Sequence, residues 1–123
     1  MQNGFNAYAA AAKTAQSVVS PRELEASLLI KAATRLQAVA DDWNLREREL
    51  DEALTYNRRL WTLLVSAVIA EDNPLPVGIK PNIVGLANFL FNQTFTISAD
   101  PKPQSLGILV SINRDIAAGL PGR

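Results

Sequence analysis

Residues 50–70 read LDEALTYNRRLWTLLVSAVIA, and the spacing of the large side chains in this stretch decides the fold. Leu50, Leu54, Asn57, Trp61, Leu64 and Val68 succeed one another at intervals of four, three, four, three and four residues. That progression is the a/d stripe of a helix packed against other helices. One member of the stripe is polar: Asn57, within Tyr56-Asn57-Arg58-Arg59-Leu60-Trp61. Near the other end of the chain Leu109, Asn113, Ile116 and Leu120 make a second stripe, and the Asn-Arg doublet returns as Asn113-Arg114 inside INRDI, residues 112–116. A buried amide without a partner costs about 1–3 kcal/mol, so both asparagines are expected to be hydrogen-bonded and to fix the register of their helices.

Upstream of this stretch, Ser20-Pro21-Arg22-Glu23 has the form of a capping box with proline in the first helical position. Leu24, Leu28, Leu29, Ala32, Ala33, Leu36 and Val39 then recur at helical spacing, predicting a helix that ends near Asp41-Asp42. Asn44 with Glu47 three residues on is a second cap signal, predicting that the next helix runs over residues 44–70. Residues 5–19 form an alanine-rich, weakly amphipathic stretch with Phe5, Tyr8, Ala9, Ala12 and Val19 roughly on one side, a loosely packed first helix.

Downstream, Asn73-Pro74-Leu75-Pro76-Val77-Gly78 stops any helix, and Pro81 suits the first turn of the next. Residues 81–95 are apolar nearly all round, through Ile83, Val84, Leu86, Ala87, Phe89, Leu90 and Phe91. A helix of that kind has more apolar sides than one small core needs, and the surplus suits a partner. A last helix is expected over residues 105–118, with Gly119 as its cap. TFTIS and LGILVSI are rich in β-branched residues, so residues 94–112 stay open between helix, loop and strand. The expectation is an all-α protein, one domain over residues 1–123, built as a small bundle of about five helices.

Composition excludes much chemistry. Twelve basic and twelve acidic residues cancel, so no whole-molecule field draws in nucleic acid or an anionic membrane. With no cysteine and no histidine there is no disulfide, thiolate nucleophile, soft-metal cage or imidazole base. No phosphate loop, nucleophile elbow or dinucleotide fingerprint occurs. The acidic pairs, such as Asp41-Asp42 and Glu71-Asp72, lie near helix ends and read as solvated groups. No catalytic, cofactor-binding or metal-binding residue is therefore assigned. The first residues do not form a secretory signal and the apolar run at 60–70 is too short to span a bilayer, so the protein is expected in the cytoplasm.

The arginines divide by their neighbours. Arg46 and Arg48 have acids at helical ion-pair offsets, whereas Arg58, Arg59 and Arg114 have none. Arg58 and Arg114 are expected to bridge helices through carbonyls or distant carboxylates, with plain solvation as the alternative. Tyr56, Arg58, Arg59 and Trp61 have the residue types of an RNA-stacking platform. Because Trp61 lies on the apolar stripe and no charge excess supports it, nucleic acid is not expected.

The order of these motifs resembles the FlaF family of flagellar biosynthesis proteins of alphaproteobacteria. The resemblance runs through Pro21-Arg22-Glu23-x-Glu25, Ala53-Leu54, Asn57-Arg58-Arg59-Leu60-Trp61, Asn73-x-Leu75-Pro76, the trio Ile83, Leu86 and Phe89, and Ile112-Asn113-Arg114-x-Ile116-x-x-Gly119-Leu120. It implies a cytoplasmic accessory protein without catalytic residues, needed for flagellin production and filament assembly. It also implies a flagellin-binding secretion chaperone, working alongside FlbT, the regulator of flagellin messenger RNA. On that reading Asn57, Arg58, Arg59, Trp61, Asn113 and Arg114 are the structural and interaction motif. Tyr8, Leu86, Phe89, Leu90 and Phe91 are the candidate partner-binding residues. Two other readings stay open: a post-transcriptional regulator acting on FlbT or flagellin messenger RNA through the arginines, and a homodimer whose apolar surplus meets its own copy.

Overall fold

Pro21 opens helix α1 (Pro21–Asp41), a position where proline's missing N–H leaves no helical bond unmade. The computed structural model describes residues 21–120. The helix predicted over 5–19, and Ser20 as the cap of α1, lie outside the described residues. Ala26, Leu29, Ala32, Ala33, Leu36 and Val39 are buried along α1; of the face that the three- and four-residue spacing marked out, Leu24 and Leu28 are only half-buried, and Ala26 joins it.

The predicted start at Asn44 is corrected. A four-residue helix α2 (Trp43–Arg46) and a 3-10 turn (Glu47–Glu49) come first, and the long helix α3 covers Leu50–Val68. Neither short piece contains a fully buried residue; Trp43 alone packs partly against the core, seven residues before Leu50, so no continuous buried face extends α3 backwards. Leu50 is the first buried side chain of the stripe, and the helix starts there because packing rather than a local cap signal stabilises it.

The break after α3 is satisfied by a side chain. Asn73 Nδ2 donates to the Ala67 carbonyl at 2.8 Å, and Asn73 Oδ1 accepts from the Leu75 N–H at 2.9 Å, which fixes the turn that the two prolines cannot close. Helix α4 (Lys80–Ala99) then begins with Pro81 in its first turn and continues beyond the predicted end at 95. A 3-10 turn (Pro103–Leu106) leads into α5 (Gly107–Gly119).

Residues 94–112 are thereby helix, a short loop, a 3-10 turn and helix, and among the described residues there is no strand. Tertiary packing overrides β propensity here: Thr94 and Ile97 bury against the core, and Thr94 Oγ1 turns inward to donate to the Leu90 carbonyl at 2.8 Å. Gly119 is not a cap. Leu120 keeps a right-handed helical backbone and donates its N–H to the Ile116 carbonyl, because its side chain has to reach the core.

Among the described residues four helices exceed ten residues, α1, α3, α4 and α5, against the five or so expected. Their arrangement is uneven. Helix α1 lies along α5 over its most extensive contact and also against α3; α4 rests on α3 and touches α5 only lightly. Leu29, Leu36, Trp61, Leu64, Leu90, Ile97, Leu106 and Leu109 interlock as the fully enclosed centre. The apolar-rich α4 is consequently covered on one side.

Candidate functional site

The two stripe asparagines meet. Asn57 and Asn113 are both fully buried, and Asn113 Nδ2 donates to Asn57 Oδ1 at 2.7 Å. Trp61 Nε1 donates to Asn113 Oδ1 at 2.9 Å, and Asn113 Nδ2 also reaches the Leu29 carbonyl at 3.3 Å. An indole can only donate, so Trp61 fixes which end of the Asn113 amide faces it. The Asn113 amide in turn fixes Asn57. One tryptophan thus sets the orientation of a polar chain that ties α1, α3 and α5 together. Asn57 Nδ2 has no partner among the described residues. Trp61, being fully enclosed, has no face to offer a nucleobase.

The arginines are placed differently from the expected bridges. Arg58, Arg59 and Arg114 are exposed, and among the described residues none of the three guanidinium groups has a hydrogen bond or an ion pair; the Arg58 carbonyl accepts from Thr62 Oγ1 at 2.9 Å. The doublets put each asparagine inward, so the next position on the helix must turn away from the core. Arg46 and Arg48 likewise form no ion pair among the described residues, because α2 and the 3-10 turn interrupt the single-helix spacing that the offsets assumed.

A cationic contact that sequence spacing missed lies across α1 and α3. Arg35 stands over the Tyr56 ring with its guanidinium carbon 5.1 Å from the centroid, and Lys31 Nζ lies at 6.0 Å. Burial raises the Tyr56 phenol above its ordinary value of 10.0, and the Arg35 charge partly opposes that rise. The only sequence signal was the four-residue interval between Lys31 and Arg35, which places both on one side of α1. Nearby, Arg35, Val39, Arg46, Glu49 and Ala53 line a cavity of about 110 Å³, well below the roughly 300 Å³ at which cofactor sites begin. Among the described residues no group of three acidic side chains could hold a metal ion, and no helix is long and apolar enough to cross a membrane.

The candidate partner-binding residues separate. Leu90 is fully buried and belongs to the core, so its assignment to a partner face is corrected. Leu86 and Phe91 are half-buried against the core, while Phe89 is 43% exposed. Two helical positions apart, Phe89 and Phe91 point about 160° away from each other and cannot line one groove. Tyr8 lies outside the described residues. Phe95, absent from the expected set, is 77% exposed. It fell within TFTIS, where a strand was still open.

What remains on the outer side of α4 is unusual for a solvated helix. From Pro81 to Ala99 there is no charged residue; Asn82, Asn88, Asn92, Thr96 and Ser98 face outward beside Phe89 and Phe95. Charge depletion with exposed aromatics is the composition of an interface centre rather than of a free surface. Such a face has the composition to bind another chain.

Comparison with curated proteins and with solved structures gave no match. The family model described as Flagellar protein FlaF matches residues 5–120, which include the buried amide network, the exposed arginines and all of α4. The chain belongs to the FlaF family of flagellar proteins.

Proposed function

We propose that this protein is a non-enzymatic, cytoplasmic helical chaperone that binds flagellin. The observation that carries the reading is the charge-free outer side of α4, which exposes Phe89 and Phe95 on a helix packed against the bundle on one side. Terminal segments of flagellin are amphipathic and disordered before assembly, so they need a surface that holds them as helices and delays polymerisation. Family membership supplies the flagellar context, and the buried Asn57–Asn113–Trp61 network supplies the rigid support.

Titration of purified flagellin monomer into the protein across a salt series tests this. Apolar capture predicts binding that changes little with salt. Exposure of Arg58, Arg59 and Arg114 favours a second reading, in which they contact messenger RNA or FlbT. RNA binding through those arginines would weaken steeply with salt as counterions are released. Absence of flagellin binding, with salt-sensitive binding of flagellin messenger RNA, would overturn the chaperone reading.

A further inference from the structure

Helix α4 carries two stripes with the spacing of a packed seam. The inner one, Ile83, Ala87, Leu90, Thr94 and Ile97, is buried in the bundle. The outer one, Asn82, Gly85, Phe89, Asn92 and Thr96, advances by three, four, three and four residues and is exposed throughout. We propose that this outer stripe is a second helix-packing seam, taking one amphipathic helix of the partner whose own contact stripe is uncharged. The proposal rests on the flagellin reading above and adds where and how the partner is held.

Gly85 is the observation that the fold leaves unexplained. It lies in the second turn of α4, and a Cβ built there would meet nothing within 4 Å. Glycine inside a helix is destabilising relative to alanine, so a position with free space inside the molecule gains nothing from it. A second helix crossing α4 at this point would approach too closely for a larger side chain. Phe89 one turn on then supplies the apolar anchor, and Asn82 and Asn92 require an amide or hydroxyl opposite them, which fixes register as Asn57 and Asn113 do inside the bundle.

The same face selects its occupant. A charged side chain laid against α4 would be desolvated with no counter-charge to meet it, so charged stripes are rejected. With 20 residues α4 is about 30 Å long, and a seam about 10 Å wide gives roughly 300 Å² per side. Stable dimers bury about 800 Å² per partner. The seam is therefore too small to hold two copies permanently and is suited to one helix that is captured and released.

The test uses the full chain, purified flagellin monomer as the probe, and three exposed-site variants: Gly85→Leu, Asn92→Lys and, as a control on α5, Ser111→Asn. The expected result is that Gly85→Leu raises the melting temperature while weakening flagellin binding at least tenfold. Asn92→Lys should weaken binding at least tenfold with an unchanged melting temperature, and Ser111→Asn should alter neither. Wild-type binding that survives both α4 variants overturns the seam and leaves the chaperone reading standing. Failure of the wild-type protein to bind flagellin removes both. A lower melting temperature in Gly85→Leu would show that this chain's own residues fill the seam, and a wild-type dimer that Asn92→Lys dissociates would show that a second copy does; either result overturns the proposal.

Discussion

Trp61 and Asn113 are 52 residues apart in sequence, and the indole nitrogen of one lies 2.9 Å from the amide oxygen of the other. Because Asn113 also serves Asn57 and the Leu29 carbonyl, it is the hub of the buried network, whereas Asn57 makes one bond and already leaves Nδ2 unpaired. Removing the hub leaves several buried groups without partners. Asn113→Ala is therefore expected to cost about 3–4 kcal/mol, and Asn57→Ala only about 1–2 kcal/mol. Urea unfolding of the two variants checks the order; equal costs would show that the network does not run through Asn113.

The neighbours Phe89 and Leu90 should behave oppositely. Leu90→Ala empties a fully enclosed site and is expected to lower stability by about 2–5 kcal/mol. Phe89→Asp replaces an exposed side chain, so its stability should stay within about 1 kcal/mol of the wild type while flagellin binding is lost. Thermal melts paired with binding titrations separate the two effects.

Alkaline pH should weaken the contact between α1 and α3. Tyr56 has a raised phenol, mainly through burial, so the folded state binds its proton more tightly than the unfolded state does. Its contribution to stability is fully present below the unfolded value of 10.0 and is lost as pH rises through the raised folded value. Melting temperature measured from pH 9 upward should therefore fall less steeply in Tyr56→Phe than in the wild type.

The a/d stripe at residues 50–68 was legible because burial imposes helical periodicity directly: every member, from Leu50 to Val68, is buried. Pairing of Asn57 with Asn113 was not legible, since spacing along each helix places a residue on a face without saying which other helix meets that face. Asn44 and Glu47 misled for a related reason: a cap signal is local, whereas the start of α3 is decided by where the run of fully buried positions begins at Leu50. In α4 the difficulty was uniformity. A segment that is apolar nearly all round gives no contrast between inside and outside, so Leu90 was placed with Phe89 although one faces the core and the other solvent. Its absent charges were readable throughout, and they mark the candidate surface better than its apolar residues do.

Exposed Arg58 and Arg59 define the competing surface on α3, which gives the sharpest comparison. A photo-crosslinking residue placed at position 92 on α4, and separately at position 58 on α3, can be tested in the full chain with purified flagellin. Crosslinking from position 92 and none from position 58 is the predicted result. Crosslinking from position 58 alone would contradict the assignment of α4 as the face that holds flagellin.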